Sequence, residues 1–164
     1  MHCGPGYGGS CFPKDTKAIV DIAQKYGEDM FIIKAAIEAN EKQKKKMVEK
    51  IISKMDGVNG KVVGILGLSF KPDTDDMRDA PSIDIIRGLV NNGAKIHAYC
   101  PEGTKEARWR LADIEKNIIY CADEYSVAND VDGIVLLTEW NQFRGMNLDN
   151  IRNRMKDNFY FDMR

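Results

Sequence analysis

The sequence predicts an α/β protein in which a parallel, Rossmann-like sheet follows a loop rich in glycine and a long helix. Short apolar stretches alternate with helical patterns from about residue 57 to the end of the chain, which is typical of repeated βα units. The stretches are apolar throughout, as expected of parallel strands buried on both faces. A long helical pattern over 29–55 precedes them. We therefore divide the chain into a loop-and-helix segment, 1–56, and a Rossmann-like domain, 57–164.

Apolar spacing and breaker residues set the bounds of each predicted element. The first helix is expected over 14–26, where Ala18, Ile19, Ile22 and Ala23 recur at helical spacing and Gly27 follows as the stop. The predicted strands are the apolar runs 62–66, 95–99, 118–120, 133–137 and 159–161. The predicted helices between them are 80–90, 104–112, 123–128, a turn near 140–143, and 148–155. Right-handed crossovers join such strands into one sheet.

The long helix is apolar at both ends and polar in the middle, over 38–46. That pattern predicts a helix that bridges two bodies. The lysine-rich run 42–46 lacks interleaved aromatic residues and is flanked by Glu41 and Glu49. We therefore interpret it as a solvated helix face rather than a nucleic-acid patch.

Composition narrows the class of protein. The chain has 164 residues, a net charge of −1, 43% hydrophobic and 30% charged residues, which is typical of a soluble globular protein without a global attraction to nucleic acid. No apolar run approaches the roughly 20 residues that cross a bilayer, and no secretory segment follows Met1, so we expect a cytoplasmic protein. Four cysteines without a CxxC pair, and two distant histidines, predict free thiols and no zinc site. Cys3, Cys100 and Cys121 are expected to be plain core or loop residues.

The stretch 4–15, Gly-Pro-Gly-Tyr-Gly-Gly-Ser-Cys-Phe-Pro-Lys-Asp, places a cysteine between a flexible loop and a helix start. Glycine allows the backbone to approach a ligand closely. Ser10 is the expected N-cap, with Pro13 and Asp15 in the first turn. A helix N-terminus and the nearby Lys14 both favour a thiolate at Cys11, which indicates a nucleophile. The alternative is a tight turn carrying an inert, buried cysteine.

A second candidate site is the connection 67–79 after the first strand, which is longer than the usual two to six residues of a βα loop. Lys71 and Arg78 suit phosphates and Phe70 suits a base. The loop departs from GxGxxG, because no third glycine opens the helix, so a dinucleotide pyrophosphate is not favoured there. Its spacing also fails a calcium loop. The loop also contains four carboxylates, which would repel a diphosphate unless they are paired or turned away: Asp73, Asp75, Asp76 and Asp79. An Asp/Pro-rich surface turn without a ligand therefore remains the alternative.

These two stretches resemble the UDP-glucose/GDP-mannose dehydrogenase family. The stretch 4–15 is similar to the family's catalytic-cysteine motif, and GLSFKPDTDDMRDAPS, from residue 67, is similar to the loop of its UDP-binding domain. Thr138-Glu139-Trp140 and the terminal Phe161-Asp162-Met163-Arg164 are similar as well. The resemblance covers nearly all of the chain.

The resemblance implies oxidation of the C6 alcohol of UDP-glucose to a carboxylate with two NAD⁺, through a thiohemiacetal and a thioester on Cys11. Lys14 would stabilise charge and Asp15 would orient water, although Asp15 alternatively serves only the helix dipole and Lys14 is alternatively a plain surface lysine. GDP-mannose is the second candidate substrate. The implied substrate contacts are Tyr7, Gly8, Gly9, Phe70, Lys71 and Arg164. The implied cofactor contacts are Lys14 and Arg78.

The resemblance further implies that an NAD-binding domain precedes the loop, and these residues do not contain it. We therefore expect a fragment without turnover of its own, whose long helix packs against its mate in a homodimer. UDP-glucose or UDP-glucuronate is the expected partner, with no nucleic acid, membrane or metal. Two other classes stay open: a non-catalytic nucleotide-sugar-binding module, and an interaction domain without a small ligand.

Overall fold

A computed structural model describes residues 4–164, and its centre is a five-stranded parallel sheet. The predictions for His2 and Cys3 lie outside the described residues. The strands are arranged in the order β3-β2-β1-β4-β5 and all neighbouring pairs are parallel. Their bounds are β1 Val62–Leu66, β2 Lys95–Tyr99, β3 Ile118–Tyr120, β4 Gly133–Leu136 and β5 Phe159–Asp162. The predicted α/β, Rossmann-like fold is confirmed.

Within residues 4–164, six α-helices and two 3-10 helices connect and precede the strands. The α-helices are α1 Phe12–Lys25, α2 Phe31–Lys54, α3 Pro81–Asn91, α4 Thr104–Arg110, α5 Asn141–Arg144 and α6 Leu148–Arg154. The 3-10 helices are Ala112–Asn117 and Ser126–Ala128. No helix within residues 4–164 combines the length and the apolar character needed to cross a bilayer.

The sheet reverses its direction of winding at β1. Gly64 pairs with His97 of β2 on one side and with Ile134 of β4 on the other. In open parallel sheets, a crevice forms outside the carboxyl ends of the strands where the winding reverses. The connections that follow β1 and β4 therefore meet at one edge of the sheet.

The core lies between the sheet and its helices, and the second half of α2 belongs to it. Met47 and Ile51 of α2 and its C-cap residue Met55 are buried together with Ile86 of α3 and Ile134 of β4. Truncating one such side chain to alanine typically costs about 2–5 kcal/mol. The first half of α2 contributes no side chain to this core cluster.

The predicted start of α1 is wrong, because the helix begins at Phe12, two residues before the expected residue 14, and its N-cap lies one residue later than expected. Cys11, not Ser10, is the N-cap residue, and no side chain caps the helix. The Ser10 hydroxyl lies 3.6 Å from the Cys11 Sγ. Pro13 lies in the first turn as predicted, and because it lacks an N–H it removes one of the donors that a cap would satisfy. The predicted stop at Gly27 is confirmed: the N–H groups of Gly27 and Glu28 donate to Gln24 O and Ala23 O at 3.1 and 2.9 Å.

The buried face of α1 also differs from the prediction. Val20 and Ala23 are buried, but Ile19 and Ile22 are 42% and 54% exposed. Helical spacing identifies an apolar stripe, but the neighbouring elements decide which part of that stripe is covered. In this chain only the narrow side with Pro13, Val20 and Ala23 is covered.

Two short elements are smaller than predicted. The expected helix over 104–112 ends at Arg110, and the expected helix over 123–128 is only the 3-10 turn Ser126–Ala128. The Asp123 carboxylate accepts hydrogen bonds from the N–H groups of Tyr125 and Ser126 at 2.9 and 2.7 Å. Such side-chain bonds to the backbone compete with helix formation.

The interpretation of the lysine run as a wholly solvated face is wrong at one position. Lys44 is buried with 6% exposure, whereas Lys42, Lys45 and Lys46 are exposed. The Lys44 ammonium pairs with Glu41 at 2.9 Å and with Asp84 of α3 at 2.5 Å. Both hydrogen bonds offset the effect of burial, so the pKa of Lys44 is raised.

Candidate functional site

The glycine-rich loop, residues 4–10, lies against the connection 67–79 after β1. The Gly9 N–H donates to the Arg78 carbonyl at 2.7 Å. A Cβ on Gly8 would stand 2.3 Å from the Asp79 carbonyl oxygen, and one on Gly9 would stand 2.8 Å from the Phe70 ring. Gly9 also has φ 96°, a conformation that other residues rarely adopt. The glycines therefore allow the two loops to touch.

Cys11 follows this loop at the N-terminus of α1, and its side chain is exposed. Its carbonyl accepts the first helical hydrogen bond, from the Asp15 N–H at 2.8 Å. The Tyr7 and Phe12 rings pack edge to face, 4.7 Å apart, across the loop. The alternative of a buried cysteine is wrong. The remaining N–H groups of the first turn add positive potential beside the thiol.

Lys14 and Asp15 are both exposed, and their side chains contact each other. The hydrogen bond to Asp15 is the main cause of a raised pKa at the Lys14 ammonium. Neither side chain makes a hydrogen bond or ion pair to another of the predicted site residues within 4–164. One turn further, Lys17 comes within 3.9 Å of Asp79, so α1 reaches the same loop.

The connection after β1 is held in shape by the segment that follows β4 and by the first turn of α3. The Thr138 hydroxyl, which follows β4, donates to the Ser69 carbonyl at 2.6 Å, and the Ser82 hydroxyl donates to the Leu68 carbonyl at 2.5 Å. The Phe70 N–H donates to the Asp76 carbonyl at 3.1 Å and closes the loop. These bonds fix the backbone from Leu68 to Phe70.

The charges of this loop are partly paired. Arg78 donates from Nε and Nη2 to the two carboxylate oxygens of Asp76 at 2.9 and 2.8 Å. This hydrogen bonding lowers the pKa of Asp76 and raises that of Arg78. The Lys71 ammonium lies 5.5 Å from the centre of the Phe70 ring and has no ion-pair partner within residues 4–164. Lys71 therefore offers an uncompensated positive charge to a ligand.

Arg164 joins three parts of this edge. Its Nη2 donates to the Phe70 carbonyl at 3.4 Å, its Nε pairs with Glu139, and its backbone N–H donates to Asp162 at 2.9 Å. A Cβ on Gly4 would stand 2.6 Å from its Nη1. The guanidinium thus contacts both loops and the end of β4.

A cavity of 620 Å³ opens beside Arg164 at the carboxyl ends of β4 and β5. Glu139, Arg164 and Gly4 line its polar side, and Trp140 and Phe143 line its apolar side. The Trp140 indole Nε1 is buried without a hydrogen-bond partner within the described chain. The volume is in the range of small-molecule pockets.

The structure thus brings together Gly8, Gly9, Phe70, Arg78 and Arg164. Tyr7 lies on the same glycine-rich loop, and Cys11 follows that loop as the N-cap of α1. Lys71 touches this group only through Phe70, and Lys14 and Asp15 lie at its outer side. Sequence analysis missed Asn40 and Gln43 of α2, which bond to the glycine loop. The available signal was their spacing with Lys44, which places three polar side chains on one helix face.

The residues at the start of α3 and around Cys11 offer few groups that could bind an NAD phosphate. Helix α3 begins at Pro81 after Asp79 and Ala80, with no glycine at its start, so the turn lacks the close-approach positions of a dinucleotide cradle. Arg78 and Lys14 are close enough to Cys11 to interact with its charge, and each is already paired with a carboxylate. Residues 4–164 also contain no cluster of three side chains suited to a metal ion.

The chain matches a known family over most of its length. Residues 64–164 match the UDP binding domain of the UDP-glucose/GDP-mannose dehydrogenase family, and residues 1–42 match its central domain. This chain belongs to the UDP-glucose/GDP-mannose dehydrogenase family.

Two curated members of the UDP-glucose/GDP-mannose dehydrogenase family illustrate the similarity. The UDP-glucose 6-dehydrogenase of Rhizobium meliloti is 40% identical over 166 residues, which cover 100% of this chain and 37% of that protein. The UDP-glucose 6-dehydrogenase TuaD of Bacillus subtilis is 39% identical over 164 residues, covering 100% and 35%. The chain therefore spans little more than a third of these relatives and corresponds to their C-terminal part.

Solved structures agree with the fold. A UDP-glucose dehydrogenase from Pyrobaculum islandicum superposes with a TM-score of 0.82 at 32% identity, over 95% of this chain and 38% of that one. A GDP-mannose dehydrogenase from Pseudomonas aeruginosa gives a TM-score of 0.79 at 23% identity, over 99% and 37%. The second likeness concerns the fold alone.

Proposed function

We propose that this chain is the C-terminal portion of an NAD-dependent UDP-glucose 6-dehydrogenase, with Cys11 as its nucleophile. The observation that carries the proposal is the placement of an exposed thiol at a helix N-terminus, on a glycine loop that touches the Phe70–Arg78 connection. The similarity to UDP-glucose 6-dehydrogenases over the whole chain supports the substrate.

The same geometry supports the proposed substrate contacts. Lys71 and Arg164 supply positive charge to a diphosphate, and Phe70 lines the crevice between them. The backbone of Tyr7, Gly8 and Gly9 leads from this anion site to Cys11, so a sugar attached to the diphosphate would extend toward the thiol. Arg78 and Lys14, which are paired with Asp76 and Asp15 in this structure, are the residues that would face the cofactor.

Cys11 acts on the aldehyde that the first oxidation produces at C6. Its thiolate attacks the carbonyl carbon, a C–S bond forms, and the oxygen takes up a proton to give a thiohemiacetal. Loss of a hydride and a proton then gives a thioester. Water attacks the thioester, the C–S bond breaks, and the products are the carboxylate and the free thiol. When bound, NAD⁺ supplies the hydride acceptor for both oxidations.

Lys14 and Asp15 assist this sequence from the first turn of α1. The Lys14 ammonium stabilises the thiolate and the developing oxyanion, and its contact with Asp15 directs it. Asp15 also orients the attacking water.

The test is binding of UDP-glucose to the chain, measured by calorimetry and thermal shift, with GDP-mannose as the competing ligand. UDP-glucose and UDP are expected to stabilise the protein more than GDP-mannose does. Lys71→Ala should weaken UDP binding by about 1–3 kcal/mol, because it removes a charge-assisted hydrogen bond. Lys95→Ala, an exposed lysine at the opposite end of a strand, is the matched control. The absence of any heat or stabilisation with millimolar UDP would contradict the proposal.

A further inference from the structure

Asn40 is a buried amide in the middle of α2, with 9% of its surface exposed. Its Oδ1 accepts a hydrogen bond from the Tyr7 N–H at 2.7 Å, and its Nδ2 donates to the Tyr7 carbonyl at 3.1 Å. One side chain thereby satisfies both backbone groups of one loop residue. A carboxylate cannot make both bonds, because an ionised acid has no proton to donate.

Two neighbours of Asn40 on the same helix face hold the loop on either side of Tyr7. Gln43 donates to the Gly4 carbonyl at 3.1 Å. A Cβ on Gly6, whose φ is 136°, would stand 2.9 Å from Asn40 Oδ1 and 3.1 Å from Lys44 Cγ. Lys44 is itself tied to Asp84 of α3. The loop therefore lies directly on this polar face of α2.

The contact continues from Tyr7 to the thiol. The Tyr7 ring packs against Phe12, which is the residue after Cys11 and the first of α1. On its other side the loop is held at Gly9 by the Arg78 carbonyl. Fixing the Tyr7 backbone thus fixes where Cys11 stands relative to the Phe70–Arg78 connection.

We propose that Asn40 is a positioning residue. By holding the Tyr7 backbone, it sets the distance between Cys11 and the connection 67–79. The consequence of this contact for catalysis rests on the proposed function. The helix face formed by Asn40, Gln43 and Lys44 then holds residues 4–7 of the glycine-rich loop in one conformation. A buried amide left without these partners would cost stability, so the pairing also specifies one loop conformation.

The first test is amide hydrogen exchange in the free protein, which needs no ligand. Asn40→Leu should raise exchange at Tyr7 by at least about tenfold relative to a core amide such as that of Ile65, because the acceptor is lost. Asn40→Asp keeps the acceptor and should give an intermediate rate. Asn153→Leu, on the exposed face of α6, should leave Tyr7 unchanged. Equal Tyr7 exchange in the wild type and Asn40→Leu would overturn the proposal.

The second test separates positioning from general stability. In the wild type, UDP-glucose should slow alkylation of Cys11. In Asn40→Leu this protection should fall at least about threefold while the affinity for UDP stays unchanged, and Asn40→Asp should restore part of it. A parallel loss of UDP affinity would overturn the positioning role. If UDP-glucose fails to protect Cys11 even in the wild type, the proposed function fails, whereas the hydrogen-exchange result still decides the role of Asn40. Should Asn40→Leu not fold, Asn40→Asp against the wild type decides both tests.

Discussion

The three thiols of the described chain stand in very different surroundings. Cys11 is exposed at the start of α1, Cys121 is half-buried, and Cys100 is buried next to Ser69. Burial raises the pKa of the Cys121 thiol. Reactivity requires both access and thiolate character, and only Cys11 combines access with a helix N-terminus.

Alkylation should therefore distinguish these cysteines. Iodoacetamide near neutral pH is expected to modify Cys11 at least about ten times faster than Cys100 or Cys121 in the folded protein. Peptide mass spectrometry after brief labelling measures each rate, and Cys11→Ser provides the background. Reaction of Cys100 at the rate of Cys11 would remove the argument for a nucleophile.

Helix α2 has a different environment at its start, in its middle and at its end. Its second half packs in the core. In its middle, Asn40 and Gln43 form hydrogen bonds with the glycine-rich loop. Large apolar side chains at its start are exposed to solvent. Phe31 and Ile32 are 73% and 86% exposed, and Tyr26 before them is 82% exposed. An exposed apolar group of this kind marks an interaction surface. We infer that a second copy of the chain covers it, so that the two long helices pack together in a homodimer.

Sedimentation velocity tests this dimer. The wild type is expected to sediment as a dimer at micromolar concentration, and Ile32→Lys combined with Phe31→Ser should give a folded monomer, because charge replaces the apolar contact. Lys45→Glu, on the exposed polar stretch of the same helix, should leave the dimer intact. A monomeric wild type would refute the homodimer.

Across residues 4–164 as a whole, the proposed anion site lies at one edge of the parallel sheet, and the turn before α3 forms no dinucleotide cradle. The loops after β1 and β4 meet at the edge where the winding reverses, and Arg164 closes that edge from β5. The turn before α3 lacks the glycines that a pyrophosphate needs. The chain also covers only 37% of a curated relative such as the Rhizobium meliloti enzyme. We infer that hydride transfer depends on residues beyond these 164.

The 164 residues alone should therefore produce no NADH from UDP-glucose and NAD⁺. Absorbance at the NADH band, followed against a blank without protein, measures this. The Cys11→Ala variant is the control for a contaminating enzyme. NADH formation that exceeds the blank and disappears in Cys11→Ala would show that a nicotinamide site is complete in this chain.

Local chemistry accounts for what the sequence predicted well. The strand bounds 62–66, 95–99 and 118–120 are confirmed, because each run is apolar and ends at residues unsuited to a central strand. Gly27 was correctly predicted to end α1, because the ending of a helix at a glycine depends on residues that are close together in the sequence. The cysteine loop and the connection 67–79 were found from their own residues and their family resemblance.

Burial and pairing between distant segments could not be obtained in this way. The parallel α/β class, the order of the elements and the two candidate loops could be predicted, since they follow from periodicity and composition within short windows. Packing between distant segments leaves Ile22 exposed, buries Lys44 and joins Asn40 to Tyr7, which is 33 residues away, and none of this could be predicted. The physical reason is that helical spacing gives a residue's direction around its own axis, whereas its environment depends on which other segment packs there.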